Sequence, residues 1–192
     1  MPVMMMIRPH DGGFEYSEDD IDVMLTEIEV AKSLGVQGIV FGALKSQPTN
    51  GGELSIHMEQ CRTLIDAAEQ LETTFHRAFD IVADPLAAFE NLQSLGVTRL
   101  LTSGQAATAL EGAELISKLV SFESSVRILA GAGVRPENAR KVIELTGIRE
   151  IHASASRPID AKNVQQGEVS FGQGRRISNS QLVQEIKLCL NS

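Results

Sequence analysis

The residues best equipped for chemistry crowd into one stretch, Thr73–Pro85, which reads TTFHRAFDIVADP. His76, Arg77 and Asp80 stand there within five positions of one another, directly after the β-branched and aromatic run Thr73-Thr74-Phe75. An imidazole moves protons near neutral pH or binds a borderline metal, and a guanidinium grips anions. His152 lies in a second expected strand, Arg149–Ala153, and Arg8 directly follows a third, the apolar run Val3–Ile7. Strand alternation puts Thr74, His76, Ala78 and Asp80 on one face, if the extended geometry persists; it groups Met4, Met6 and Arg8, and likewise Glu150, His152 and Ser154. With the phenylalanines and isoleucines under helices, His76, His152 and Arg8 point to one mouth, with Asp80 and Thr102 beside them. This makes His76, His152, Asp80 and Arg8 candidate catalytic residues, and His76 and His152 candidate metal ligands. The competing reading makes each histidine a hydrogen-bonded core residue.

Ala130-Gly131-Ala132-Gly133-Val134, followed by Pro136, has the form of a phosphate cradle: small residues let backbone N–H groups approach an anion at a helix start. Gly131 and Gly133, with Arg77, are therefore candidate anion-binding residues. The same run also suits a tight turn that needs positive φ at glycine. Met4-Met5-Met6 offers soft thioethers, but adjacent strand residues face opposite ways, so the three sulfurs cannot converge on one ion. Cys61 and Cys189 fall at core positions of separate expected helices. Lys45 reads as a solvated loop lysine. No nucleophile elbow, P-loop, HExxH or paired CxxC occurs.

The elements that must position these groups follow a strand–helix rhythm. Strands are expected at Val3–Ile7, Val36–Leu44, Thr73–Phe75, Thr98–Leu101, Val126–Ala130 and Arg149–Ala153. Helices are expected after the capping box at Ser17, from about Leu54 to Ala68, over Pro85–Leu95, around Leu110–Phe122, from Pro136 and over Asn179–Leu190. Gly35, Gly96 and Gly147 stop three of them. Pro48–Gly52 is a turn-rich loop. Residues 156–178 are polar and expected to be irregular. Repeating βα units about thirty residues long imply a parallel sheet covered by helices, either an open doubly wound sheet or a (β/α)8 barrel lacking two units. A full barrel takes about 200–250 residues, slightly more than this chain.

At 43% hydrophobic and 22% charged residues, the composition is that of one globular domain, 1–192. The formal net charge of −8 argues against nucleic acid or an anionic membrane as partner. Two cysteines do not make a disulfide framework, and neither a targeting segment nor a membrane span is visible, so a cytoplasmic protein is expected.

Taken together, several motifs resemble the CutC family in order and spacing. They are Met6-Ile7-Arg8-Pro9 with Gly12-Gly13-Phe14, Val40-Phe41-Gly42-Ala43-Leu44, Thr74-Phe75-His76-Arg77-Ala78-Phe79-Asp80, Leu101-Thr102-Ser103-Gly104, Ala109-Leu110-Glu111-Gly112, Ala130–Val134 and His152-Ala153-Ser154-Ala155. The resemblance runs from Met4 to about Ala155. It implies a TIM-type (β/α)8 barrel, here incomplete with about six βα units, a cytoplasmic location and a role in copper homeostasis. Three departures stand out. The family loop RPRGGDF reads RPHDGGF here. Two leading βα units of the family, which bring an acidic residue and cysteines to the mouth, have no counterpart. The tail beyond Ala155 is only loosely similar. Six strands leave two edges and an exposed interior. The expected remedies are cover from the C-terminal segment or a homodimer; failing both, the chain would be poorly stable alone.

Three functions follow. The first is copper handling, with copper bound by His76 and His152. The second is an enzyme acting on a small, perhaps phosphorylated, metabolite through His76 or His152, with Arg8 or Arg77 holding an anion. The third is an inactive variant that acts only by association.

Overall fold

The computed structural model describes residues 2–47, 51–158 and 176–190. Six parallel strands form one sheet: β1 (Met4–Met6), β2 (Gly38–Phe41), β5 (Glu72–Phe75), β6 (Arg99–Thr102), β7 (Arg127–Ala130) and β8 (Glu150–Ile151), in that spatial order. The sheet curls into a half-barrel. The intervening helices are α1 (Glu18–Ser33), α2 (Met58–Ala68), α3 (Pro85–Leu95), α4 (Ala113–Val120) and α5 (Pro136–Thr146); α6 (Ser180–Leu190) packs on α5. None of the described helices is long and apolar enough to cross a membrane.

Local signals set many of the boundaries. Ser17 and Asp20 close a reciprocal capping box at α1. The Asp84 carboxylate accepts the Leu86 and Ala87 N–H groups, with Pro85 at the first helical position of α3. Gly96 and Gly147 end α3 and α5 at φ 74° and 71°. Alternation sorts the two faces of the sheet. Ile39, Phe41, Phe75, Leu100, Ile128 and Ala130 are buried and join one core with Met24, Ile28, Leu64, Phe89, Leu92, Ile116 and Val142 of the helices.

The opposite face carries charge at the amino ends of four neighbouring strands. Arg99 reaches Glu72 at 2.7 Å and Glu150 at 2.6 Å; Arg127 reaches Glu150 at 2.9 Å and Glu72 at 3.5 Å. Two cations between two carboxylates leave no like pair unscreened. Both edges of the sheet are open among the described residues: β1 pairs only with β2, and β8 only with β7.

The structure departs from the expected boundaries in several places. Chain expected to continue the second strand to Leu44 instead leaves the sheet after Phe41. Leu44–Gln47 (β3) then pairs antiparallel with Glu53–Ile56 (β4). Leu54, expected on a helix face, therefore lies in a strand, and α2 begins only after His57, whose Nδ1 accepts the Gln60 N–H. Residues 48–50 of the expected turn lie outside the described residues. Extended geometry in the third parallel strand stops at Phe75, and Arg77–Ile81 is a 3-10 helix. Within 156–178, Ser156–Pro158 (β9) and Arg176–Ser178 (β10) pair antiparallel, while 159–175 lie outside the described residues.

Candidate functional site

The carboxyl ends of the strands carry the candidate residues. His76 follows β5 at once, and its backbone N–H bonds the Phe41 carbonyl at 2.8 Å. The ring packs 4.9 Å from Phe14 and over Gly42, and the residue is 4% exposed. Its Nδ1 accepts the Ala78 N–H at 3.2 Å, capping the 3-10 helix. Burial, aided by the Arg8 charge, pushes its pKa down to about 4. The imidazole is thus neutral at pH 7, and because Nδ1 accepts, the proton sits on Nε2. That buried Nε2 has no partner among the described residues. Held this way, His76 presents an N–H and not a lone pair.

Arg8 reaches the mouth but turns to its own loop. Its Nη2 donates to the Gly12 carbonyl at 2.6 Å and the Asp11 carbonyl at 3.3 Å, and its guanidinium lies 4.8 Å from the Phe14 ring centre. Asp80 is saturated. One oxygen accepts the Thr102 hydroxyl at 2.5 Å, the other accepts Arg77 Nε at 2.7 Å, and the Ser103 and Gln105 N–H groups point at the same carboxylate. Its side chain is 6% exposed. This carboxylate ties the 3-10 helix to the end of β6 and anchors Arg77, whose Nη2 bonds Ser103 Oγ at 2.9 Å.

His152 follows β8, and its N–H bonds the Ala130 carbonyl at 2.8 Å. The residue is exposed, desolvation by the surrounding walls lowers its pKa, and its ring makes no hydrogen bond among the described residues. Close packing explains Gly131: a β-carbon there would stand 2.6 Å from Leu101 Cδ1 and 3.3 Å from His152 Cβ. Ala132 and Gly133 both turn left-handed, at φ 76° and 69°, ahead of α5.

A cleft of about 680 Å³ opens beyond β6, β7 and β8. Of the residues singled out by sequence, it brings together Arg77, Gly133 and His152. Arg8, His76 and Asp80 do not line it. His76 and His152 end strands separated by β6 and β7, roughly 14 Å apart along the sheet at the usual strand spacing. Arg135, Arg157 and Arg176 also line the cleft, and sequence reasoning missed all three. They are scattered along the chain, and only the position of Arg135 beside the Ala130–Val134 run hinted at one of them.

The described residues contain no group of three or more His, Cys, Asp or Glu side chains able to hold a metal ion. Cys61 is fully buried, its thiol donates to the Ala43 carbonyl at 3.6 Å, and desolvation pushes its pKa up to about 12. A neutral thiol is a poor metal ligand.

The CutC family model matches residues 1–157. The chain belongs to the CutC family. A family protein CutC of Pasteurella multocida is 48% identical over 155 residues, covering 80% of this chain and 61% of that protein. The human copper homeostasis protein cutC homolog is 43% identical over 156 residues, 81% of this chain and 55% of that protein. This CutC chain thus spans about three fifths of the length of the bacterial relatives it matches. The crystal structure of a CutC protein from Streptococcus agalactiae superposes with a TM-score of 0.72 at 30% identity, covering 79% of this chain and 72% of that one. A structure from Coccidioides immitis assigned as a deoxyribose-phosphate aldolase is 20% identical with a TM-score of 0.59, over 80% of this chain and 61% of that one, a likeness of fold alone.

Proposed function

We propose that this chain serves copper homeostasis in the cytoplasm, with copper as its cargo. The observation that carries the reading is the 42–43% identity, over 156 residues, to the mouse and human proteins named copper homeostasis protein cutC homolog. The geometry supports His152 as the point of contact. It is exposed at the mouth, its lowered pKa keeps it neutral at pH 7, and both ring nitrogens are without partners among the described residues. A neutral imidazole is a good ligand for copper. His76, three strand spacings away, buried and outside the cleft, is not placed to share one ion with His152.

Copper(I) titration of the full chain against a chromogenic chelator tests this. Stoichiometric retention, weakened in His152→Ala and little changed in His76→Ala, is the expected result. Retention no better than that of an unrelated acidic protein would refute copper binding by this chain.

A further inference from the structure

In a chain where Asp and Glu outnumber Lys and Arg by 25 to 17, one cleft gathers cations. Among the described residues Arg77, Arg135, Arg157 and Arg176 line it, against the single carboxylate Glu137. Only Arg77 has an ion-pair partner among the described residues, Asp80; Arg135, Arg157 and Arg176 have none. Three guanidinium groups with no ion-pair partner among the described residues, around one concavity, repel one another unless an anion joins them.

Two of the four are held ready. Asp80 and Ser103 take Nε and Nη2 of Arg77. The Ser156 hydroxyl and carbonyl take Nε and Nη2 of Arg176, at 3.0 and 2.6 Å. In each case one edge of the fork is fixed, and Nη1 is left without a partner among the described residues. The backbone adds donors, since the N–H groups of Ala132, Gly133 and Val134 make no hydrogen bond among the described residues. Ala132 and Ala155, both on the cleft wall, hold φ of 76° and 42°, conformations that cost an L-residue energy and recur at ligand sites. The cavity is far larger than a bare phosphate, and Leu101, Leu182 and Ile186 give it an apolar wall.

We propose that this cleft binds a small phosphorylated metabolite. The phosphate dianion is held by the arginine forks and its organic part lies against Leu101, Leu182 and Ile186. Planar guanidinium groups match phosphate oxygens two at a time, and a dianion answers the unneutralised charge better than a single carboxylate. His152, the proposed copper contact, lines the same cleft, but the phosphate is held by the arginines and its binding stands whether or not copper binds.

Isothermal titration of the full chain, with a copper chelator present throughout, tests the proposal with ribose 5-phosphate, glycerol 3-phosphate and 3-phosphoglycerate, beside ribose and inorganic phosphate. At least one phosphate ester should bind saturably, about tenfold or more tighter than inorganic phosphate, while ribose gives no heat. Arg135→Ala and Arg157→Ala, both at exposed positions, should each weaken that binding about tenfold with an unchanged melting temperature, the loss expected for one charge-assisted contact. Silence from all three esters, equal affinity for inorganic phosphate, or full binding by both variants would each overturn it. Because copper is chelated, none of these outcomes bears on the copper reading.

Discussion

A β-carbon on Gly42 would stand 2.6 Å from both Cε1 and Nδ1 of His76, and 3.2 Å from Phe75 Cζ. Neither ring has room to retreat, since His76 is 4% exposed and Phe75 fully buried. Gly42→Ala should therefore overpack the mouth and destabilise the fold by about 2 kcal/mol. Urea denaturation measures this, and the imidazole NMR signal should shift with it. A loss below about 0.5 kcal/mol, within ordinary surface variation, would mean that the ring is not locked in place.

Acid should unfold the chain through the same ring. Burial pushes the folded-state pKa of His76 down to about 4, against 6.5 for a free imidazole. Between those values the unfolded chain binds a proton that the folded chain refuses, so stability is full above pH 6.5 and falls as pH drops towards 4. At about 1.4 kcal/mol per unit, the loss across that window is about 3 kcal/mol. Denaturation midpoints at pH 7.5, 6, 5 and 4 give the slope. His76→Gln, which cannot titrate, should flatten it. An equal slope in that variant would assign the acid sensitivity to other groups.

Much of the scaffold was legible because its signals are local. Apolar runs mark the parallel strands, the Ser17–Asp20 box and Asp84-Pro85 mark helix starts, and Gly96 and Gly147 take the left-handed turns they suggest. The β3–β4 hairpin was half legible: Pro48–Gly52 reads as a turn-rich loop, but Leu54 fits a helix face as well as it fits the strand it takes. The 3-10 helix at Arg77–Ile81 had no local signal. It forms because the His76 ring caps it and Ser103, on another strand end, draws in Asp80, and both are tertiary facts. Three arginines of the cleft were illegible for a related reason: Arg135, Arg157 and Arg176 join Arg77 only once the strands are ordered side by side.

The Asp80 carboxylate is surrounded by donors: the Thr102 and Ser103 hydroxyls, the Ser103 and Gln105 N–H groups, and Arg77 Nε. Asp80→Asn turns one oxygen into an NH2 group that faces other donors and removes the partner of Arg77. Burying a donor against donors at a carboxylate whose partner Arg77 is itself exposed should cost about 1–3 kcal/mol. Guanidinium denaturation should show a lower midpoint at an unchanged m-value. An unchanged midpoint would show that the carboxylate does not brace the β6 end, and would remove the anchor assigned to Arg77.

The two thiols should separate cleanly by reactivity. Cys61 is fully buried, bonded to the Ala43 carbonyl, and raised to a pKa of about 12. Cys189, on α6, is half-buried, with its Sγ 3.3 Å from the Glu185 carbonyl and 3.7 Å from that of Pro136. The thiolate is the species that attacks a disulfide reagent, and at pH 8 a thiol of pKa about 12 offers about three orders of magnitude less of it than an ordinary one. Ellman's reagent on the native chain should therefore label Cys189 first and leave Cys61 untouched until denaturant is added, with peptide mass spectrometry identifying the site. The same measurement bears on copper, because a thiol that a small disulfide cannot reach cannot close around an ion without local opening. Fast native labelling of Cys61 would show that the α2 face opens readily and that this sulfur is within reach of an ion.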